Sequence, residues 1–281
     1  MKVEAGVLER LGADLARLRG DPASPPDASI VVPVNAQADL EAVLGVLGEV
    51  ASYVGEHSFE VVLVINNYPA DEPPPEIETY AGAGMRVVAV PNVWREGEAV
   101  CLTARVPGAR AAASERLILF DADCRIPEPS RLLDWYVQQF ERGAQAAYTR
   151  VGHYELRPLW SVRARIAAHH LARWTKRVIL RVPTTRGSNY AVDRAFFLRL
   201  YEQGLLIDDL NVGPAVKRAG GHVAYSGARG LDVLTSGRKF HGGWRKLAHY
   251  LRYRLLYNVR VLQTRASDRK GGDPYHHKPL R

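Results

Sequence analysis

Leu117-Ile118-Leu119-Phe120-Asp121-Ala122-Asp123 is the stretch on which the reading of this 281-residue chain turns. Four consecutive apolar residues of this kind describe a strand buried on both faces. Two carboxylates follow at i, i+2, so they point the same way, off the carboxyl end of that strand. Open α/β sheets bind their ligands at that edge. Neighbouring carboxylates are poor partners for each other. They are good ligands for a hard divalent cation that also holds phosphate oxygens. An Asp-any-Asp triplet also arises by chance in a chain of this size, and such pairs in turns are commonly just solvated. Other segments have to decide.

Hydrophobic residues make up 47% of the chain and charged residues 24%, ordinary values for a soluble globular protein. The longest apolar runs are strand-length, too short to span a bilayer. Met1-Lys2-Val3-Glu4 lacks the apolar core of a signal peptide. The two cysteines, Cys101 and Cys124, have no metal-ligand spacing and read as small buried hydrophobes in a reducing cytoplasm. The formal charge of +8 is concentrated at one end, where residues 235–281 carry 12 Lys and Arg against 2 Asp and Glu. A tail of that kind suits phosphate-rich partners such as an anionic membrane surface or nucleic acid. With the body nearly neutral, nucleic acid is not an expected partner.

Outward from the acidic triplet, strand-like and helix-like segments alternate. Leu8, Leu11, Leu15 and Leu18 recur at helical spacing, and the Pro-rich residues 20–27 form a stiff linker. Residues 29–34 read as a strand, 37–53 as a helix with Leu40, Val43, Leu44 and Leu47 on one face, and 59–65 and 86–90 as further buried strands. Alternation of this sort calls for a mostly parallel central sheet with helices on both faces, an α/β fold. Beyond Pro127 the spacing predicts a helix over 132–142, an edge strand over 146–151, and a long basic helix over 160–180 with Val162, Ile166, Trp174 and Val178 on its apolar stripe.

Taken together, the segments between residues 29 and 238 resemble the inverting glycosyltransferases of family 2, which use the nucleotide-sugar-binding GT-A fold. Ser29-Ile30-Val31-Val32-Pro33-Val34-Asn35 is similar to that family's opening strand, which places Pro33, Val34 and Asn35 beside the nucleotide base. Asn66, after Val64-Ile65, stands where the family usually carries an Asp for the base. An amide still offers a donor and an acceptor to a base edge, but the departure loosens the choice of base. The helix over 97–108 resembles the one before the metal motif, and Arg105 within it is implied to approach the nucleotide or its diphosphate. Asp121-Ala122-Asp123 then matches the family's Asp-any-Asp. The resemblance implies that Asp123 binds Mn²⁺ or Mg²⁺ and that Asp121 contacts the ribose or a metal-bound water.

Further along, Thr185-Arg186-Gly187-Ser188-Asn189-Tyr190-Ala191 resembles the acceptor-side loop, with Gly187 and Ser188 allowing close approach and Asn189 free to hydrogen-bond a sugar hydroxyl. Asp208-Asp209 matches the family's acidic pair, whose second member is the general base, so that role is implied for Asp209 with Asp208 tuning it. Asp is also favoured at helix starts, and the pair equally suits a cap. The segment 233–241 resembles the one that closes over the diphosphate, implying a phosphate grip for Arg238 and a third metal ligand in His241. His169 and His170 have no acidic or cysteine partner nearby in sequence and carry no assigned chemistry.

The expected division is an N-terminal helix and linker over 1–27, a GT-A catalytic domain over 28–240 (nucleotide half 28–127, acceptor half 128–240), and a basic C-terminal segment over 241–281. In the last, Trp244, Leu247, Leu251, Leu255, Val259 and Leu262 form an amphipathic helix that either docks on the domain or meets anionic lipid, ahead of a polar tail over 268–281. The implied activity is transfer of a hexose from a UDP- or GDP-sugar to an acceptor hydroxyl, metal dependent and with inversion, by a cytoplasmic protein. Three alternatives stay open. A retaining GT-A transferase would keep the metal site without an obligatory base. A sugar nucleotidyltransferase would need a Gly-rich basic loop after the first strand, where this chain has Asn35-Ala36-Gln37-Ala38-Asp39. A non-catalytic module of the same fold would use only its basic tail.

Overall fold

The computed structural model describes residues 5–91, 100–157, 159–206 and 208–237, with the single positions 245, 248 and 252. Gly97, Arg238, His241, the apolar positions expected on a C-terminal helix and the polar tail lie outside the described residues.

The apolar runs form strands because each residue in them has a hydrophobic layer to enter on either face. β1 (Ala28–Asn35), β2 (Phe59–Asn66), β3 (Arg86–Val90) and β4 (Arg116–Leu119) pair in parallel, with β1 between β2 and β4. Ile30, Val32 and Val34 of β1 enter one core with Leu63 and Ile65, while Val31 enters the other with Val62, Val64 and Leu117. The first core is closed by α1 (Ala5–Arg19), α2 (Val43–Ala51) and α5 (Pro129–Glu141), the second by α4 (Val100–Ala111), α7 (Arg194–Glu202) and α8 (Val212–Arg218). Leu8, Leu11 and Leu15 are buried in the first core, so α1 packs on the sheet domain. α3 (Glu76–Gly82) precedes β3, which lies at the sheet's edge and is only partly buried.

The sheet continues with β7 (Tyr190–Asp193), β5 (Ala146–Thr149) and β8 (Val223–Ser226), giving the order β3-β2-β1-β4-β7-β5-β8. β7 is antiparallel to both neighbours, and every other pairing is parallel. A second, two-stranded sheet pairs β6 (Val151–Tyr154) with β9 (Val233–Ser236) in parallel. Between β6 and β7 lies α6 (Trp160–Val178). No described helix is long and apolar enough to cross a membrane.

Three expectations need correction. The helix expected over 37–53 is α2 alone, because Asn35 diverts the chain: its Oδ1 accepts from the Gln37 amide at 3.0 Å and its carbonyl from the amides of Ala38 and Asp39, so residues 36–42 run as turns. The run 146–151 is no edge strand, since β5 is paired on both sides and the chain breaks after Thr149 into β6. On α6 the buried residues are Val162, Arg165 and His169, while Trp174 and Val178 are exposed. The buried face of that helix is partly polar, and hydrophobic spacing does not register it.

α4 sets the geometry of the site. Gly108 lets it settle onto β1 and β2, since a Cβ there would stand 2.5 Å from a Val31 methyl and 2.7 Å from one of Val64. That close seat carries Arg105 under the carboxyl end of the sheet.

Candidate active site

Arg105 is the hub. Its side chain is 1% exposed, and it reaches both acidic motifs. Nη2 donates to Asp121 Oδ1 at 2.5 Å and to the Gly187 carbonyl at 2.9 Å. Nε lies 2.7 Å from Asp209 Oδ1, a charge contact whose N–H is not aimed along a hydrogen-bond axis. Nη1 is buried and has no hydrogen-bond partner among the described residues. Burial alone would lower the pKa of this guanidinium, but the Asp209 and Asp121 charges outweigh it and hold the group charged.

Asp209 is fixed from three directions. Besides Arg105, the Tyr190 hydroxyl donates to its Oδ1 at 3.0 Å, and its backbone carbonyl accepts from Thr185 Oγ1 at 2.5 Å. Burial first, and then the Asp209 charge, push the Tyr190 phenol well above its ordinary pKa, so it stays a donor. Oδ2 is the Asp209 oxygen left over, and it faces Gly187. A Cβ on Gly187 would stand 2.5 Å from that oxygen, 2.7 Å from Arg105 Nη2 and 3.1 Å from Asp121 Oδ1. Glycine is required there because both carboxylates and the guanidinium converge on it.

Asp208 does something else. It is buried, and its Oδ1 accepts from the amides of Leu210 at 2.8 Å and Asn211 at 3.1 Å, closing the turn that leads into α8. Neither acid is the helix cap that the pair suited: the N-cap of α8 is Asn211, and Asp208 holds the turn before it. On the metal side, the potential ligand atoms of Asp121, Asp123 and Cys124 all lie within 4.8 Å of one another. The carbonyl of Asp123 accepts from Tyr154 of β6 at 2.8 Å, which pins the loop. Burial pushes the Cys124 thiol well above its ordinary pKa, and it donates to the Ser188 carbonyl at 3.3 Å, so the cation ligands offered are the two carboxylates. Desolvation raises the Asp121 pKa against the pull of Arg105; with 40% of its side chain still exposed, that push is modest. Two carboxylates with room for phosphate oxygens and water suit Mg²⁺ or Mn²⁺.

Several expected contacts are placed differently. Asn189 is fully buried, and its amide is engaged at both ends: the Tyr136 hydroxyl donates to Oδ1, and Nδ2 donates to Thr149 Oγ1 at 2.5 Å. It anchors the loop and has nothing to offer a sugar. Asn66 is buried with Nδ2 turned back to the Val64 carbonyl at 3.0 Å. The Val34 side chain lies in the core, leaving half-buried Pro33 and Asn35 on the outer side of β1. Arg105 grips carboxylates rather than lying open to a diphosphate. Ser188 is buried under the same loop.

The residues that sequence reading passed over are Tyr190, Thr185, Tyr154 and the Arg186–His169 contact, in which the guanidinium donates to His169 Nε2 at 2.5 Å. Tyr190 lies within the loop quoted for its glycine, and a tyrosine opening a buried strand is the available signal. Arg186 and His169 are seventeen residues apart, with no pattern linking them.

Neither a protein-family model nor a curated relative matches the chain. Among solved structures, it is similar to a mannosyltransferase from Pyrobaculum calidifontis in complex with GDP-Man and Mn²⁺, with 16% identity over 98% of this chain and 75% of that one, at a TM-score of 0.53. It is also similar to glucosyl-3-phosphoglycerate synthase from Mycobacterium tuberculosis in complex with Mn²⁺, UDP and phosphoglyceric acid, with 17% identity over 92% and 84% of the two chains, at a TM-score of 0.50. At such identities the likeness is one of architecture, and it establishes that this α/β chain with its mostly parallel central sheet has the GT-A glycosyltransferase fold.

Proposed function

We propose that the chain is a divalent-metal-dependent glycosyltransferase that moves a hexose from a UDP- or GDP-sugar to an acceptor hydroxyl, with inversion at the anomeric carbon. The observation that carries this reading is the convergence of Asp121 and Asp209 on Arg105 across Gly187, which sets a metal-type acidic pair and a separate, single carboxylate on one small space. The solved relatives with Mn²⁺ and a nucleoside diphosphate or its sugar support it.

In this reading Asp123 and Asp121 hold Mn²⁺ or Mg²⁺ beside the donor diphosphate. When bound, such an ion acts as a Lewis acid towards the charge that gathers on the departing nucleoside diphosphate. The acceptor oxygen attacks the anomeric carbon as the carbon–oxygen bond to phosphate breaks, and the hydroxyl proton passes to Asp209 Oδ2. Arg105 and the Tyr190 hydroxyl occupy Oδ1 and orient the carboxylate so that Oδ2 faces the acceptor. Asn189, Thr149 and Tyr136 keep the loop carrying Gly187 in place.

A thermal-shift titration with UDP and GDP, each with and without Mn²⁺, tests the donor side. Mn²⁺-dependent stabilisation is expected for one of the two and is expected to vanish in Asp123→Ala. An Asp123→Ala protein that binds nucleotide with unchanged metal dependence would put the site elsewhere. The anomeric configuration of the product, read by NMR, separates inversion from retention.

A further inference from the structure

A cavity of about 420 Å³ is walled by α6, β6 and β8, together with Arg150 just before β6 and Asp232 just before β9. Its charge is the reverse of the active centre's. Arg150, Arg173 and Arg177 line it against a single carboxylate, Asp232, an excess of two positive charges. Arg150 and Asp232 face each other as a fork, Nε to Oδ1 at 2.7 Å and Nη2 to Oδ2, which fixes one guanidinium in the wall. Arg177 is fixed differently. Its guanidinium carbon stacks 3.8 Å from the centre of the Tyr225 ring, an arrangement that occupies the flat face and leaves the edge N–H groups for an oxyanion. His170, on the same face of α6 as Arg173 and Arg177, completes the basic side.

Three links tie this cavity to the candidate active site. Arg150 directly follows Thr149, which accepts from the Asn189 amide. His170 directly follows His169, which accepts from Arg186 of the glycine loop. Gly152 of the cavity wall is two residues, about 7 Å of strand, from Tyr154, which donates to the Asp123 carbonyl. Residues that wall the cavity are therefore close sequence neighbours of residues that touch the glycine loop and the Asp123 turn. Along its rim α6 also exposes a stripe of apolar side chains at helical spacing, Leu171 (63% exposed), Trp174 (46%) and Val178 (49%), and Trp174 belongs to the cavity wall as well.

We propose that this cavity is the anion subsite of the acceptor: it holds a phosphate-class group carried by the molecule whose hydroxyl is glycosylated. The proposal rests on the transferase reading above for the word acceptor, and on the cavity alone for the anion. Planar guanidiniums held by a fork and by a stack are matched to phosphate oxygens in advance, and little ordering is left for binding to require. The group can come from a soluble sugar or polyol phosphate or from a lipid phosphate, and the apolar rim is what a hydrocarbon chain would use.

The test is calorimetric titration of the full chain with glycerol 3-phosphate, with decyl phosphate below its micellar concentration, and with decyl glucoside as the uncharged control. Saturable binding of at least one phosphate is expected, with none for the glucoside. Arg173→Gln/Arg177→Gln is expected to weaken it at least tenfold while Mn²⁺-dependent nucleotide stabilisation stays as in the parent. Should the double variant fold poorly, Arg173→Gln alone is expected to lose at least threefold. Decyl phosphate binding tighter than glycerol 3-phosphate assigns a lipid source; equal binding assigns a soluble one, and either supports the subsite. Absence of saturable phosphate binding, unchanged affinity in the folded variants, or equal binding of the glucoside overturns it. Phosphate binding without any nucleotide binding would defeat the transferase reading, and the acceptor role with it, while the cavity itself stood.

Discussion

The acidic cluster and the basic cavity are built on the same scheme with the signs exchanged. Around Arg105, one guanidinium serves two carboxylates, with Asp123 close by, so the centre carries surplus negative charge suited to a divalent cation. Around Asp232, one carboxylate pairs with Arg150 in a wall that holds three guanidiniums, and the surplus is positive. They also differ in burial. Arg105 is 1% exposed and cannot rearrange without opening the core, whereas Arg150 is 36% exposed and stands at a mouth. The first assembly is therefore structural and chemical at once. The second is a surface for binding, whose loss the fold can tolerate.

Removing the hub should break the contrast most visibly. Arg105→Met keeps the volume but leaves Asp209 and Asp121 facing each other without their shared cation. Breaking a buried pair in this way costs about 3–5 kcal/mol, to be measured by urea unfolding, and transfer activity should be lost. Mn²⁺ should restore part of the lost stability, because it supplies positive charge to Asp121, the carboxylate that the two sites share. The matching change at the cavity, Arg150→Met, should cost under about 1 kcal/mol, as expected for a half-exposed pair. Equal losses at the two sites would erase the distinction.

Within the acidic cluster, Asp209 and Asp121 share Arg105 but differ in duty. Asp209→Asn keeps the shape and the Tyr190 contact but cannot take a proton. Turnover should fall by about 10²–10⁴, with donor affinity nearly unchanged, in single-turnover transfer measured beside nucleotide titration. A variant within a few-fold of the parent would reduce Asp209 to a ligand of Arg105.

How much of this was legible in the sequence follows from the kind of interaction involved. β1, β2 and β4 announce themselves because burial on both faces demands unbroken apolar runs, and the acidic triplet does stand just past the end of β4. The antiparallel insertion of β7 between β4 and β5 leaves no local trace, since pairing across more than seventy residues is not encoded in spacing. The role of Arg105 is half legible: a lone arginine in Val100-Cys101-Leu102-Thr103-Ala104-Arg105-Val106 has to find partners when buried, but nothing names Asp209. On α6 the periodicity misleads. Its inner face carries Arg165 and His169 while Trp174 looks outward, so polar recognition has displaced the usual rule.

The second acidic pair offers a smaller comparison. Asp208 binds two backbone amides and does not touch Arg105, so its replacement should move stability rather than catalysis. Asp208→Asn keeps an oxygen for Leu210 and Asn211 and should be nearly silent. Asp208→Ala should cost about 1–3 kcal/mol, the usual cost of leaving buried turn amides without their acceptor, with turnover changed only as far as α8 shifts. The check is chemical unfolding of both variants alongside their transfer rates. A turnover loss in Asp208→Asn comparable to that of Asp209→Asn would mean the two carboxylates act together.

The finest test lies at the cavity, in the protonation of His170. Burial, then the charges of Arg173, Arg186 and Arg150, hold this imidazole below its ordinary pKa of 6.5, with Asp232 pulling the other way. Because the folded value is depressed, the neutral ring contributes stability that is present above pH 6.5 and is lost as pH falls through the folded value. An anion in the cavity reverses the preference, since it favours the charged ring. Sulfate, whose own charge is constant over this range, should therefore bind more tightly as pH falls from 7.5 towards 5.5. The gain should be about tenfold for each unit by which bound sulfate raises the His170 pKa. The rings of His153 and His169 lie 6.4 Å and 6.1 Å from that of His170. His170→Asn isolates the contribution: the slope should flatten while binding at pH 7.5 is preserved. A slope unchanged by that substitution would assign the proton to a neighbouring histidine. A flat parent profile would mean that the anion is held by the guanidiniums alone.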